Sequence, residues 1–156
     1  MSTPTGKRIF IASDHAGMAL KADLMKGLAE YNWVDLGPID SNQVDYPDYA
    51  ALLSRKIASG EAKEGVLICG SGIGMSISAN KVAGIRAALV ENPVSARLAR
   101  EHNDANVLCL GSRFIAAPYG FEIVKAWLTA SFSTEARHVN RVQKIRALET
   151  KSEQKD

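Results

Sequence analysis

Five short apolar runs, each closed by polar residues or glycine, constrain the fold of this chain more than any other feature. The runs lie at residues 8–14, 33–37, 65–69, 85–90 and 106–112. The segments between them have helical character; Leu20, Leu24 and Leu28, for example, repeat every four residues along one face of a helix. Because strands that alternate with helices form parallel βαβ units, the sequence predicts an α/β fold.

Several such units together form a three-layer αβα sandwich around a five-stranded parallel, Rossmann-like sheet, and we expect this architecture. The 156 residues suit a single domain that spans residues 1–156. Polar, charged sequence at both ends predicts that residues 1–6 and about 149–156 are loosely held.

Composition excludes several classes of function. The 19 basic and 17 acidic side chains leave a net charge of +2, without the surplus typical of nucleic-acid binding. No apolar stretch approaches the roughly 20 residues that span a bilayer, and the N-terminus lacks the apolar core of a signal peptide. Two cysteines do not make a disulfide framework. We therefore expect a cytoplasmic protein with neither a nucleic-acid nor a membrane partner.

Reactive side chains flank the predicted strands. Asp14 and His15 follow the first strand, Cys69 ends the third, and the fifth lies between His102-Asn103 and Arg113. Open parallel sheets bind their ligands beyond the carboxyl ends of the strands. We therefore expect these side chains to meet at one edge of the sheet.

The sequence GSGIG at residues 70–74 joins the third strand to a helix. Glycines let backbone N–H groups approach an anion closely, and a helix N-terminus adds a favourable dipole. The spacing of Gly70, Gly72 and Gly74 fits neither the dinucleotide fingerprint nor a Walker A loop. A small anionic group is the favoured ligand, and a tight turn that binds nothing is the alternative.

One cysteine and two histidines carry the candidate acid–base chemistry. Cys69, directly before the glycine loop, is either a base or nucleophile or a small buried apolar residue. Cys109, inside an apolar run, is predicted to belong to the core. His102 either transfers protons to and from hydroxyl oxygens or caps a helix, and the same alternatives apply to His15.

Arg137 and Arg141 lie four residues apart and therefore share one face of a predicted helix. Guanidinium groups suit phosphate oxygens, although a solvated basic face also explains such a pair. Arg113, directly after a strand, is harder to explain as a surface residue. The role of His138, beside Arg137, stays open.

Six segments together resemble the ribose-5-phosphate isomerase type B family, which has galactose- and allose-6-phosphate isomerases as relatives. The segments are SDHAG (13–17), DYPDYA (45–50), GVLICGSGIGMSISANK (65–81), GIRAALV (84–90), EHNDANVLCLGSR (101–113) and RHVNRV (137–142). They cover about residues 8–145 in the same order as in the family. The combination is far more specific than any single motif.

The resemblance implies an aldose–ketose isomerase that acts on a phosphorylated sugar without a metal or organic cofactor. In such an enzyme Cys69 is the base that moves a proton between C1 and C2 through a cis-enediolate. His102 opens the furanose ring, and Ser71 helps to transfer the hydroxyl proton. The resemblance also implies substrate-binding residues: Asp14, Tyr46 and Asn103 at the sugar; Gly70, Ser71, Gly72, Ile73 and Gly74 at the enediolate; His15, Arg113, Arg137 and Arg141 at the phosphate, with His15 alternatively at the sugar.

Met75 stands where some relatives carry a glutamate base, so the chain resembles the cysteine-base branch of the family. The first interpretation is an interconversion of ribose 5-phosphate and ribulose 5-phosphate in the pentose phosphate pathway. The alternatives are an allose- or galactose-6-phosphate isomerase and a non-catalytic phosphosugar-binding module. The resemblance further implies a homodimer, or a tetramer, whose subunits share active sites.

Overall fold

The computed structural model describes residues 6–152 and contains, in this part of the chain, one sheet of five parallel strands. In chain order the strands are β1 Arg8–Ser13, β2 Asn32–Asp35, β3 Glu64–Cys69, β4 Ala87–Leu89 and β5 Val107–Gly111. They lie side by side in the order β2-β1-β3-β5-β4, and every neighbouring pair is parallel. The predicted α/β fold with a five-stranded parallel sheet is confirmed.

Six α-helices connect and cover the strands in the described part of the chain. They are α1 Met18–Gly27, α2 Tyr46–Ala58, α3 Ile73–Ala79, α4 Pro93–Asn103, α5 Ala117–Thr129 and α6 Ala136–Ser152. Helix α2 has Pro47 in its first turn, where the missing N–H of proline costs no hydrogen bond within the helix. None of the helices within residues 6–152 combines the length and apolar character needed to cross a membrane.

The C-terminal helix continues further than the sequence predicts. Residues 149–152 are helical rather than part of a loose end, and Glu149 accepts a hydrogen bond from the Gly84 amide at 2.8 Å. Residues 1–5 and 153–156, which make up most of the predicted loose ends, lie outside the described residues.

Two apolar clusters, one on each face of the sheet, make the three layers. Successive side chains of a strand point to opposite faces. Val66 and Ile68 of β3 therefore join the cluster built with α1, α4 and α5, whereas Leu67 and Cys69 join the cluster built with α2 and α3. Cys109 is fully buried in the second cluster, so its predicted place in the core is confirmed.

The amino ends of the strands form one edge of the sheet and the carboxyl ends form the opposite edge, and these two edges carry different groups. Strand β5 runs from Val107 at the amino edge to Gly111, which pairs with Cys69 at the carboxyl edge. At about 3.3 Å per residue, these edges are about 13 Å apart. His102 and Asn103 end α4, which leads into the amino end of β5. The prediction that they share an edge with Cys69 is therefore wrong within one chain, since a helix that precedes a parallel strand ends at the strand's amino end.

Candidate active site

Strand β3 delivers Cys69 to the carboxyl edge of the sheet, directly against the glycine loop of residues 70–74. The backbone amide of Gly72 donates a hydrogen bond to Cys69 Sγ at 3.1 Å. Gly72 has a φ of 75°, and a Cβ atom there would lie 2.8 Å from the carbonyl carbon of Leu110. Because only glycine fits this conformation and this space, the contact between amide and sulfur depends on it.

Next to Cys69 lies a cavity of about 440 Å³, which we call the Cys69 pocket. Its lining includes most of the predicted site residues: Asp14, His15, Tyr46, Cys69, Gly70, Ser71, Ile73, Gly74 and Arg113. Ile77 also lines the pocket, and the signal for it in the sequence is its place one turn after Ile73 on α3. The carboxyl ends of β1, β3 and β5 thus contribute to one site, as the parallel sheet predicts.

The turn after β1 fixes Asp14 and His15. Asp14 Oδ1 accepts hydrogen bonds from the amides of Ala16 and Gly17 at 3.0 and 3.2 Å and so caps a short 3-10 turn. His15 Nδ1 accepts a hydrogen bond from the Val44 amide at 3.3 Å. A neutral imidazole that accepts at Nδ1 carries its proton on Nε2, so His15 can donate a hydrogen bond to a ligand oxygen.

Hydrogen bonds tie the loop after β5 to the glycine loop. The amides of Ser112 and Arg113 donate to the carbonyl oxygens of Cys69 and Gly70 at 2.9 and 3.0 Å. The Arg113 guanidinium lies close to Gly70, where a Cβ atom would be 3.1 Å from its Cζ. Within residues 6–152 Arg113 forms no ion pair, so its charge is available to an anion.

Two further contacts shape the rim of the Cys69 pocket. Tyr46, at the start of α2, packs its ring over Gly74, where a Cβ atom would lie 2.5 Å from the ring carbons. Ser71 Oγ accepts a hydrogen bond from the Ile73 amide at 3.3 Å, which holds the hydroxyl beside the start of α3. The absence of a side chain at Gly74 therefore determines where the Tyr46 ring can lie.

Five predicted site residues do not line the Cys69 pocket. Gly72 lies directly behind it and donates to Cys69 Sγ. The other four form, together with His138, an α4–α6 cluster, defined as His102, Asn103, Arg137, His138 and Arg141. The imidazoles of His102 and His138 stack with their centroids 4.2 Å apart and their planes 8° apart. Arg137 and Arg141 are exposed and one turn apart on α6, which confirms their shared helix face. A larger cavity of about 770 Å³ lies beside Asn103, between β4 and α6.

His138 is the buried member of this cluster. Its side chain is 6% exposed, and its Nε2 atom has no hydrogen-bond partner among the described residues. Burial lowers the pKa of His138, and the charges of His102 and Arg137 lower it further, against an opposing contribution from Glu135. A largely neutral imidazole therefore stacks on His102 at neutral pH.

The Cys69 pocket is suited to proton transfer beside a carbonyl group. It brings a thiol, a hydroxyl and a cation into one cavity, and the Gly72 amide donates to the thiol sulfur. N–H groups fixed around a cavity stabilise negative charge that develops on an oxygen during such a transfer. Within residues 6–152, no group of three or more His, Cys, Asp or Glu side chains is placed to hold a metal ion.

Comparison with known proteins finds similar sequences and similar structures. The family described as Ribose/Galactose Isomerase matches residues 9–145. Ribose-5-phosphate isomerase B of Escherichia coli is 44% identical over 145 residues, which cover 92% of this chain and 97% of the relative. The structure of ribose-5-phosphate isomerase B of Clostridium thermocellum matches with a TM-score of 0.89 and 44% identity, over 93% of this chain and 99% of that one.

A third comparison includes a bound sugar phosphate. Ribose-5-phosphate isomerase B of Mycoplasma genitalium, solved with bound ribulose-5-phosphate, matches with a TM-score of 0.84 and 45% identity. The match covers 92% of this chain and 96% of that structure. The resemblance found in the sequence and the three-layer α/β fold are both confirmed.

Proposed function

We propose that this chain, which belongs to the ribose/galactose isomerase family, interconverts ribose 5-phosphate and ribulose 5-phosphate. The observation that carries the proposal is the Cys69 pocket, where one cavity is lined by the Cys69 thiol, the glycine loop and the Arg113 guanidinium. An aldose–ketose isomerase needs a base, an oxyanion site and a binding group remote from the reacting carbons. These three groups supply one each, and the names of the relatives support the pentose substrate.

The proposed reaction moves one carbon-bound proton. The Cys69 thiolate takes the proton from C2 of the open-chain aldose, and the electron pair moves through C1 to the aldehyde oxygen. The amides of the glycine loop stabilise the cis-enediolate that results. The thiol then returns a proton to C1, while the O2 hydroxyl proton moves to O1 with Ser71 as the relay. No electrons leave the substrate, so the reaction needs no redox partner.

The remaining residues of the Cys69 pocket bind the parts of the substrate that do not react. Asp14 and Tyr46 contact the sugar hydroxyls, and Arg113 and His15 contact the phosphate. The His15 Nε2 proton is free for this purpose because Nδ1 is the acceptor of the Val44 amide. Binding of the phosphate holds C1 and C2 against the base, which lowers the entropic part of the barrier.

A second copy of the chain completes the proposed site. The ring-opening residue His102, together with Asn103, Arg137 and Arg141, lies at the opposite edge of the sheet from Cys69. One chain cannot place both groups against the same small sugar, since the edges are about 13 Å apart. In a homodimer with two-fold symmetry, each subunit supplies the α4–α6 cluster to the Cys69 pocket of the other.

Coupled isomerase assays with ribose 5-phosphate, allose 6-phosphate and galactose 6-phosphate test the substrate. We expect the highest kcat/KM for ribose 5-phosphate. A higher value for either six-carbon phosphate would favour the alternative isomerase, and ligand binding without turnover of any of the three would favour the phosphosugar-binding module.

Mixing two inactive variants tests whether the site is shared. Cys69→Ala and His102→Asn each inactivate both sites of their own homodimer. In a mixed dimer, one site contains both substitutions and the other contains neither. After subunit exchange at equal concentrations, we expect about a quarter of the wild-type activity to return, because half of the dimers then carry one intact site. Failure to recover activity in dimers shown by mass spectrometry to be mixed would place both residues in one subunit's site.

Isotope exchange separates ring opening from proton abstraction. Ribulose 5-phosphate cannot form a furanose ring, because its O5 carries the phosphate. Proton exchange at its C1 in D₂O therefore needs the base but not the ring-opening group. We expect His102→Asn to lose isomerisation while deuterium still enters C1 of ribulose 5-phosphate, followed by NMR. Equal loss of both activities would contradict the ring-opening role.

A further inference from the structure

The last turn of α4 is held by charged side chains that the reaction proposed above does not use. We call the two central ones, Arg86 and Asp104, the Arg86–Asp104 clamp. Asp104 directly follows His102 and Asn103 in the chain, whereas Arg86 reaches this turn from the segment before β4. The clamp therefore connects the start of β4, the outermost strand on this side of the sheet, to the residues proposed to act on the sugar.

Asp104 ends the helix in a conformation that few residues adopt readily. Its φ and ψ are 47° and 45°, in the left-handed region, which is more accessible to Asp and Asn than to most residues with a side chain. Its carboxylate accepts hydrogen bonds from Arg100 Nη1 and Arg86 Nη2, both at 3.2 Å, and Arg146 Nη2 lies 3.8 Å away. The turn that carries His102 is thus fixed by backbone conformation and by charge together.

Arg86 binds the same turn through its backbone. Its Nε atom donates to the carbonyl oxygens of Asn103 at 3.2 Å and Asp104 at 3.0 Å. These carbonyls lie at the C-terminus of a helix, where they lack partners within the helix and favour a cation. The Arg86 side chain is 11% exposed, and the Arg86 amide is itself held by Asn106 Oδ1 at 2.8 Å. Arg86 is therefore anchored at both its backbone and its guanidinium.

We propose that Arg86 and Asp104 are positioning residues for His102 and Asn103. The clamp fixes the last turn of α4, so that the His102 imidazole and the Asn103 amide meet the sugar in one orientation. The proposal rests on the function proposed above, in which these two residues act on the substrate held by the other subunit. A displacement of about 1 Å in a catalytic group can cost about 100-fold in rate, so this anchoring has a measurable kinetic role.

The test uses Arg86→Met and Asp104→Asn, with Arg97→Met as the matched control. Asn keeps the tolerance for the left-handed conformation but removes the charge. Arg97 lies on the same helix in an exposed ion pair with Glu101, away from the clamp. Each variant is assayed for isomerisation of ribose 5-phosphate and for deuterium exchange at C1 of ribulose 5-phosphate at saturating concentration, and its thermal unfolding is recorded.

We expect both clamp variants to lose isomerisation about tenfold or more while exchange stays within about threefold of wild type, as for His102→Asn. Arg97→Met should change neither activity. Arg86→Lys, which keeps the charge but not the guanidinium, should recover only part of the isomerisation, and it also replaces Arg86→Met if that variant does not fold.

Two results would overturn the proposal. One is an equal loss of both activities in proportion to the unfolded fraction, which indicates a purely structural role. The other is normal isomerisation in both clamp variants. A wild-type protein that catalyses neither reaction would instead refute the proposed function. Separation of the two activities in His102→Asn but not in the clamp variants would refute only the clamp.

Discussion

Replacement of Gly74 by alanine should displace the Tyr46 ring without unfolding the protein. A Cβ atom at Gly74 would lie 2.5 Å from Cε2 and Cζ of Tyr46 and 3.0 Å from Cδ2. Carbon atoms in contact are normally about 3.5–4.0 Å apart, so the ring must retreat by about 1–1.5 Å. Tyr46 is 40% exposed, and the ring can therefore swing towards solvent instead of straining the core.

Two opposing effects determine the change in the free energy of unfolding, and one lost contact determines the change in KM. Alanine is favoured over glycine in a helix by about 1 kcal/mol, which offsets the lost packing of the ring. We expect the free energy of unfolding to change by less than about 1 kcal/mol. The Tyr46 hydroxyl, in contrast, can no longer reach the sugar. A lost hydrogen bond of about 1 kcal/mol corresponds to an increase of about fivefold in KM.

Steady-state kinetics and thermal unfolding of three variants test this reasoning. Tyr46→Phe should raise KM by a similar factor to Gly74→Ala, and the double variant should show less than the sum of the two effects. Gly120→Ala is the control, because a Cβ atom in this α5 position would meet Ile115, Leu20 and Leu24 at 3.4–3.5 Å, which are ordinary contacts. An unchanged KM for Gly74→Ala together with a raised KM for Tyr46→Phe would show that Gly74 does not determine the position of the Tyr46 ring.

Three further predictions concern the base, the absence of a metal and the buried histidine. Cys69→Ala should abolish both isomerisation and C1 exchange while ribulose 5-phosphate still raises the Tm; retained turnover would exclude the thiolate base. Dialysis against EDTA should leave kcat/KM unchanged, whereas loss of activity that a divalent metal restores would contradict a metal-free reaction. Because burial lowers the pKa of His138 from 6.5, the unfolded state binds the proton more readily, and stability falls as the pH drops below about 6.5. His138→Phe should therefore flatten the dependence of Tm on pH between about 6.5 and 5, and an equal slope in both proteins would contradict this.

Most of the Cys69 pocket could be predicted because most of its residues lie at or shortly after the ends of strands. Cys69, Asp14 and Arg113 each lie at or just beyond the carboxyl end of a strand, so recognising the strands was enough to bring them together. Parallel pairing then places these ends at the same edge, whatever the order of the strands.

The α4–α6 cluster could not be placed in the same way. His102 precedes β5, and the same rule that gathers strand ends sends the end of the preceding helix to the opposite edge. Its stacking on His138 depends on how α6 packs against α4, which no local pattern specifies. The contacts of Arg86 with Asn103 and Asp104 join residues 17 and 18 positions apart and arise only when β4 pairs with β5.

The proposed homodimer would also account for apolar side chains that are exposed at and near the rim of the Cys69 pocket. Ile73 and Ile77 are 51% and 57% exposed, one turn apart on α3, and Phe114 is 64% exposed just after β5. Apolar side chains gathered at the mouth of a polar pocket are typical of a surface that another protein covers. A second copy seated on this rim would remove them from water and bring its His102 towards the sugar. In the proposed homodimer, burial of apolar surface would drive the same association that brings His102 of one copy to Cys69 of the other.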